Sequence, residues 1–156
     1  MEVTAVRGDI TQQRVDAVVN AANSAMRGGG GVDGAIHRAG GPAVLEDCVR
    51  RFPDGLATGD AGWTTAGDLP ARWVIHVVGP NRHAGQTDRG LLTSCYSRAL
   101  AVIRLWEQAG LRFPSNLEVV AAGSGFRGAG RYTGSQEGLN KRFIIQVQPK
   151  IGSIGK

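Results

Sequence analysis

The chain has 156 residues, of which 42% are hydrophobic, and its formal net charge at pH 7 is +5. This length suits one domain with an ordinary hydrophobic core. The positive charge is concentrated near the C-terminus, because residues 1–112 carry a net charge of +1 and residues 113–156 carry +4. Binding to the backbone of nucleic acid is therefore not expected for the main part of the chain.

The cysteines and the apolar runs exclude several other classes. Cys48 and Cys95 have neither disulfide nor metal-ligand spacing, so we interpret them as buried thiols of a reducing, cytoplasmic compartment. Met1-Glu2-Val3 does not resemble the start of a signal peptide, and no run of about 18 apolar residues predicts a membrane helix. We expect no metal or other cofactor, since the cysteines show no ligand spacing with His37, His76 and His83.

The chain begins with two predicted strands. Glu2 to Arg7 alternates loosely between apolar and polar residues, and Gly8-Asp9-Ile10-Thr11 ends this first strand. Asp9 could simply cap a turn through its own backbone. Val15 to Asn20 forms the second strand, and its apolar run is typical of a strand covered on both faces in an α/β sheet.

A glycine-rich loop joins the second strand to a helix. The turn Asn20-Ala21-Ala22-Asn23 precedes four consecutive glycines, and a helix begins near Val32 and Asp33. Glycine lets the backbone approach a ligand closely, and the N-terminus of a helix favours phosphate. This order of elements predicts an anion site. Asp33 could equally be the N-cap of the helix, where aspartate is common.

The segment from Gly29 to Gly34 also matches the G-x-G-x-x-G pattern of dinucleotide-binding folds. In those folds the pattern follows its strand immediately, whereas about eight residues separate Asn20 from Gly29. The pattern is therefore a weak indication of a dehydrogenase.

Two helices and two strands follow. Gly40-Gly41-Pro42 ends the first helix and starts a second one, whose predicted apolar face consists of Val44, Leu45, Cys48 and Val49. Thr58 to Thr65 predicts a short strand. Trp73 to Val78 predicts a strong one, in which we interpret His76 as a core histidine. Asp88 to Ala109 has helical periodicity, with a core stripe of Leu91, Leu92, Cys95, Ala99, Val102, Ile103 and Trp106.

Three of these stretches together resemble the signature of macrodomains. They are Gly8-Asp9-Ile10-Thr11, the segment from Asn20 to Arg38, and the segment from Leu69 to Pro80, in family order and at family-like spacing. The resemblance runs from about Val3 to about Leu111. It implies a three-layer α/β/α fold with a mixed sheet that binds ADP-ribose, and often hydrolysis of ADP-ribosyl esters or O-acetyl-ADP-ribose.

The resemblance also implies a role for each matching residue. Asp9 would accept a hydrogen bond from the adenine amino group, with Ile10 beside it in the ligand site. Asn23 would contact the distal ribose hydroxyls, and Asn20 would hold the loop. Phosphate would be bound by Gly28, Gly29, Gly30, Gly31 and Val32. Asn23 and Asp33 would be catalytic, with the Asp33 carboxylate orienting or deprotonating a water near the anomeric carbon. His37 is interpreted as a packed or surface residue of the helix and not as a base.

Beyond Leu111 the resemblance ends. Macrodomains continue with a buried strand that ends in Phe-Pro and with a second glycine-containing loop that holds the diphosphate. Here Phe113-Pro114 is followed by Asn116 to Val120, and Gly123 to Gly128 matches that loop only loosely. We therefore predict a macrodomain-like core over residues 1–115 and a divergent, poorly ordered segment over residues 116–156.

Four strands are recognisable before residue 80, whereas a fifth and a sixth are not, so the sheet could be incomplete at its C-terminal strands. A disrupted reading frame, a replaced C-terminus or genuine divergence would each produce such a tail.

The predicted function is that of a cytoplasmic, monomeric hydrolase of ADP-ribosyl esters or O-acetyl-ADP-ribose. Its partners would be ADP-ribose, ADP-ribosylated protein and O-acetyl-ADP-ribose, without nucleic acid or membrane. Two alternatives stay open. The chain could be a reader that binds ADP-ribose without turnover, or an inactive remnant that lacks the second phosphate loop.

Overall fold

The computed structural model describes residues 2–6, 8–81, 84–110, 119–123 and 143–148. The strands are β1 (Glu2–Val6), β2 (Val15–Ala21), β3 (Ala61–Thr65), β4 (Ala71–Val77), β5 (Val119–Gly123) and β6 (Phe143–Gln148). The α-helices are α1 (Gly31–Gly40), α2 (Pro42–Arg51) and α3 (Arg89–Gln108), and a short 3-10 helix covers Ile10–Gln12.

The strands form one mixed sheet in the order β1-β6-β5-β2-β4-β3. Strand β2 pairs in parallel with both β4 and β5, whereas the other neighbours are antiparallel. The fold class predicted from the sequence is therefore confirmed. The C-terminal strands β5 and β6, which were not recognisable in the sequence, belong to this sheet. The predicted boundary at residue 115 lies outside the described residues and stays a prediction.

Helices cover both faces of the sheet. On one face, Ile36 of α1 packs with Val18 and Val74, and this cluster also contains Ile10. On the other face, Ile75 packs with Trp106 of α3. Val74 and Ile75 are consecutive in β4 and enter opposite clusters, because successive side chains of a strand point to opposite faces. The predicted three layers follow from this alternation.

Some predicted apolar faces are only partly buried. Leu45 and Val49, two positions of the predicted apolar face of α2, are 39% and 47% exposed. Leu92 of α3 is 44% exposed, so its assignment to the core stripe was wrong. In α2 the buried positions are Val44, Asp47 and Cys48. The polar Asp47 is thus buried, whereas Leu45 and Val49 of the predicted apolar face are not. Among the described residues, none of the helices combines the length and apolar character needed to cross a membrane.

Asp47 reaches from α2 to the outermost strand, β3. Its Oδ2 accepts a hydrogen bond of 2.9 Å from the backbone N–H of Thr65. Arg51 donates to both Asp47 oxygens at 3.0 Å, and Arg50 also donates to Oδ1. The Arg51 guanidinium lies 3.8 Å from the ring centre of Trp63, so the edge of β3 is covered by charged side chains of α2.

Candidate functional site

The topology of the sheet predicts a ligand site at the C-terminal ends of β2 and β5. The chain leaves β2 toward β3 and β4 on one side, whereas β5 leads to β6 on the other side. Neighbouring parallel strands with such diverging connections form a topological switch point, where ligands bind in open α/β sheets. The loop from Asn23 to Gly30, which was predicted as the anion site, starts at this point.

The loop has a backbone that favours glycine. Gly28 and Gly31 have φ angles of +74° and +62°, a region that side-chain-bearing residues rarely adopt. Arg27 fastens the loop from outside, since its guanidinium donates hydrogen bonds to the carbonyls of Phe52 and Pro53 at 3.1 and 2.9 Å. The loop is thereby tied to the end of α2.

Asp33 lies in the first turn of α1, but it is not the N-cap. That position belongs to Gly30, so the alternative interpretation of Asp33 as a cap was wrong. Instead, the buried Asp33 side chain points toward β2. Its Oδ1 accepts a hydrogen bond of 2.7 Å from the Asn20 side-chain amide, and His37 Nε2 lies 3.5 Å from the same oxygen.

The second oxygen of Asp33 faces Asn23 and the glycine loop. Asn23 Nδ2 lies 3.4 Å from Asp33 Oδ2 and donates a shorter bond of 2.7 Å to the carbonyl of Gly28. A Cβ at Gly29 would lie 3.1 Å from Asp33 Oδ2 and 3.2 Å from Asn23 Nδ2. The absence of a side chain at Gly29 therefore keeps this carboxylate–amide pair uncrowded.

Asn20 is fully buried and joins Asp33 to His76. Its amide nitrogen contacts Asp33 Oδ1 at 2.7 Å and His76 Nδ1 at 3.0 Å, and His76 Nε2 lies 2.9 Å from the hydroxyl of Thr64. The side-chain carbonyl oxygen of Asn20 (Oδ1) is buried and has no hydrogen-bond partner among the described residues. An unsatisfied buried acceptor costs about 1–3 kcal/mol. Asn20 was expected to hold the loop, and in the structure its side chain holds Asp33.

His76 is a buried core histidine, as the sequence indicated. Burial and, after it, the neighbouring His37 lower the pKa of His76 to about 3, against a smaller opposing effect of Asp47. His76 is therefore neutral at ordinary pH.

His37 is a packed residue of α1, as the sequence predicted, but its contact with Asp33 was not predicted. It follows Asp33 by four residues, and on a helix that spacing places two side chains on the same face. Its ring also packs against the loop, because a Cβ at Gly28 would lie 3.3 Å from the ring. The i, i+4 spacing of Asp33 and His37 was the available signal.

Asp9 caps the 3-10 helix. Its Oδ1 accepts hydrogen bonds from the backbone N–H and the hydroxyl of Thr11, at 2.9 and 2.8 Å. The turn interpretation of Asp9 is thus confirmed, and its role toward adenine stays a prediction. Ile10 is 1% exposed and packs in the cluster that contains Val32. Any ligand contact of these two apolar residues would therefore use their backbone.

The fold brings together three residues of metal-binding types that showed no ligand spacing in the sequence. One donor atom each of His37, Cys48 and His76 lies within 4.8 Å of the other two. Both ring nitrogens of His76, however, have hydrogen-bond partners in Asn20 and Thr64. Burial, with the charges of Asp33 and Asp47, raises the pKa of the Cys48 thiol to about 11. The donor chemistry thus does not favour a metal ion.

The residues from 19 to 126 match the family model of the Macro domain. The chain belongs to the Macro domain family. The match continues past Leu111, where the motifs of the sequence end, and reaches beyond β5.

Relatives and solved structures agree with this family. A Macro domain-containing protein of Streptomyces coelicolor is 60% identical over 102 residues, which cover 63% of this chain and 60% of that protein. An O-acetyl-ADP-ribose deacetylase of Pantoea vagans is 49% identical over 105 residues, covering 65% and 61%. The Oceanobacillus iheyensis macrodomain, solved with ADP, has a TM-score of 0.58 and 34% identity over 69% of this chain and 66% of that one. The chain spans about three fifths of the length of these curated relatives.

In this macrodomain the predicted site residues after β2 converge. Asn20, Asn23 and Asp33 are linked by hydrogen bonds, and of the predicted glycines Gly29 lies against Asn23 and Asp33. Two open cavities of about 430 and 450 Å³ occur among the described residues. The first lies beside β3 and the second behind Gly28 and His37, so neither contains the Asn23–Asp33 pair. The sequence from Ser124 to Gly128, predicted as a loose match to the second loop, lies outside the described residues.

Proposed function

We propose that this macrodomain binds ADP-ribose and hydrolyses ADP-ribosyl esters on proteins or O-acetyl-ADP-ribose. The observation that carries the proposal is the Asn23–Asp33 pair, which lies against Gly29 at the switch point of the sheet. A buried carboxylate beside an amide and a side-chain-poor loop is suited to a sugar next to a diphosphate.

Binding would rely on the backbone of the loop and on the start of α1. Phosphate oxygens accept hydrogen bonds from backbone N–H groups, and the dipole at the N-terminus of a helix favours their negative charge. The Asn23 amide can both donate to and accept from ribose hydroxyls. The ADP in the Oceanobacillus iheyensis structure and the name of the Pantoea vagans deacetylase support this ligand class.

The proposed reaction uses the outward oxygen of Asp33. Because Asn20 and His37 contact Oδ1, it is Oδ2 that faces Asn23 and could orient a water molecule. In an ADP-ribosyl ester, the water oxygen bonds to the anomeric carbon while the bond from that carbon to the acyl oxygen breaks. The products are ADP-ribose and a free carboxyl group, and the water proton passes to Asp33 or to solvent. The carboxylate also stabilises the positive charge that develops on the ribose.

A binding measurement and a turnover measurement separate this proposal from its alternatives. Calorimetry should detect ADP-ribose binding that is tighter than AMP binding, because the proposed site also contacts the diphosphate and the distal ribose. Equal affinities would contradict that site. Release of ADP-ribose from an esterified protein would identify an enzyme, whereas binding without release would identify a reader. A folded chain that binds neither ligand would be an inactive remnant.

A further inference from the structure

The hydrogen bonds between Asp33 and Thr65 form a chain in which the donors run outward from the Asn20 amide, to Asp33 on one side and through His76 and Thr64 to Thr65 on the other. The hydroxyl of Thr64 donates to the Thr65 carbonyl at 2.9 Å, so its oxygen is available as an acceptor for His76 Nε2–H. His76 then has its lone pair on Nδ1, which accepts from the Asn20 amide. The second hydrogen of the same amide goes to Asp33 Oδ1.

The arrangement also decides which end of the Asn20 amide faces Asp33. With the amide reversed, its carbonyl oxygen would face both a carboxylate oxygen and the unprotonated Nδ1 of His76, which are all acceptors. The observed orientation leaves the carbonyl oxygen of Asn20 without a partner among the described residues. The amide is thus oriented so that its N–H groups make hydrogen bonds, whereas its carbonyl oxygen makes none among the described residues.

We propose that Thr64 and His76 are positioning residues, which hold the Asn20 amide with both hydrogens inward and thereby fix the Asp33 carboxylate against the glycine loop. The catalytic role of the Asp33 carboxylate rests on the proposed function, whereas its positioning through Asn20 does not. His76 contacts neither the loop's glycines nor the Asn23–Asp33 pair directly among the described contacts, so it would act through Asn20.

This chain of hydrogen bonds requires that His76 be neutral. Protonation would place an N–H on Nδ1 opposite the Asn20 N–H, which is a contact between two donors. The ionisable groups around His76 are His37 and Asp33 on α1 and Cys48 and Asp47 on α2. Its burial between these helices and the sheet keeps the ring neutral.

Two substitutions at the buried Thr64 test the chain with matched shapes. Thr64→Val keeps the volume but removes the acceptor for Nε2–H, whereas Thr64→Ser keeps the hydroxyl. We expect Thr64→Val to lower kcat about tenfold or more through misplacement of the carboxylate. Its affinity for ADP-ribose should stay within about twofold, because the ligand's own contacts remain. Thr64→Ser should retain kcat, and equal kcat values for the two variants would overturn the inference.

A double-substitution cycle shows whether the effect passes through Asp33. In a chain that already carries Asp33→Asn, the further change Thr64→Val should have little effect on the residual turnover, since residues that act as a unit are not additive. A full second loss would mean that Thr64 acts by a separate, structural route, and it would contradict the proposal.

Nuclear magnetic resonance provides a readout that needs no turnover. The two-bond 1H–15N spectrum of His76 should show a neutral ring protonated at Nε2, unchanged from about pH 5 to 8. Exchange of the Asn20 side-chain amide hydrogens should be slow in the unmodified chain and in Thr64→Ser, and faster in Thr64→Val. An Nδ1-protonated ring, or equal exchange in all three, would overturn the inference. If the unmodified chain shows no ester hydrolysis, the proposed function fails while these spectra still decide the positioning role.

Discussion

Asp33 Oδ2 lies 3.4 Å from Asn23 Nδ2, and both atoms would be within 3.2 Å of a Cβ on Gly29. The carboxylate and the amide come from different elements, since Asn23 follows β2 and Asp33 belongs to α1. Because the two side chains lie so close together, the roles of Asp33 and Gly29 in this contact can each be tested by substitution.

Replacing Asp33 by asparagine removes the charge but keeps the shape. The new side chain can still accept from Asn20 through its carbonyl oxygen, so we expect the free energy of unfolding to fall by only about 1 kcal/mol. Turnover should fall on the order of a hundredfold, because the group that orients or deprotonates water is lost. Steady-state release of ADP-ribose measures this effect, with calorimetry to show that product affinity changes much less. Unchanged hydrolysis by the folded variant would exclude the carboxylate role.

Alanine at Gly29 should disturb the site more than alanine at Gly30. The Cβ of Gly29→Ala would crowd Asp33 and Asn23, while that of Gly30→Ala meets no atom within 4 Å. We expect about tenfold or more loss of kcat for Gly29→Ala, because small displacements of a reacting group are costly. Gly30→Ala is the comparison in the same loop, and its kcat should fall less, because its Cβ does not contact Asp33 or Asn23. Parallel loss in both variants would show that the loop is sensitive to any substitution, independent of contact with Asp33.

Asparagine at Asp9 separates its observed capping from its predicted contact with adenine. The carbonyl oxygen of Asp9→Asn can still accept the two hydrogen bonds from Thr11, so stability should change little. If the carboxylate also accepts from the adenine amino group, the affinity for ADP-ribose should fall by roughly 1–3 kcal/mol. Titration calorimetry gives the affinity and urea unfolding gives the stability. An unchanged affinity would assign Asp9 to the turn alone.

The buried His76 should make folding sensitive to acid. Its pKa of about 3 in the folded chain is below the ordinary value of 6.5, so the unfolded chain binds the extra proton between these two values. The contribution is complete above about pH 6.5 and is lost as the pH falls toward 3. Between about pH 6 and 5, the free energy of unfolding should fall by about 1 kcal/mol more in the unmodified chain than in His76→Gln. Denaturant unfolding at both pH values measures this, and parallel losses would contradict the buried neutral ring.

Both cysteines should be unreactive in the folded chain. Burial raises the pKa of Cys48 to about 11, and burial also raises that of Cys95. Since the thiolate is the reactive form, native protein at about pH 8 should react very slowly with a thiol reagent such as Ellman's reagent. Both thiols should react once the chain is unfolded in urea. Rapid release of one equivalent from the native protein would show that a cysteine is accessible.

The part of the site after β2 was largely predictable from the sequence. The order of strand, glycine loop and helix depends on local patterns, and the motifs added the roles of Asn23 and Asp33. The cap interpretation of Asp33 failed because Gly30 already occupies the N-cap, which leaves the carboxylate free to turn toward β2. The link from Asn20 to His76 joins residues 56 positions apart, and periodicity carries no information about such a contact.

The ends of the sheet were harder to predict. Strand β5 is only five residues long, and its pairing with β2 and β6 defines it more than any local pattern does. In α2, the burial of Asp47 overrides the apolar pattern, because its carboxylate accepts a hydrogen bond from the backbone N–H of Thr65 in β3. Tertiary hydrogen bonds of this kind have no signature in a single sequence.

The contact between Asp47 and Thr65 has a consequence for how the protein behaves at high concentration. An uncovered outer strand can recruit a strand from another molecule and so begin aggregation. At β3, a newcomer would have to displace a carboxylate from the Thr65 N–H and break its contacts with Arg50 and Arg51. Burial alone would raise the pKa of Asp47, but the Thr65 hydrogen bond and the two arginines lower it overall, so the carboxylate keeps its charge in mild acid. At Thr65, this border of the sheet is therefore protected against strand addition.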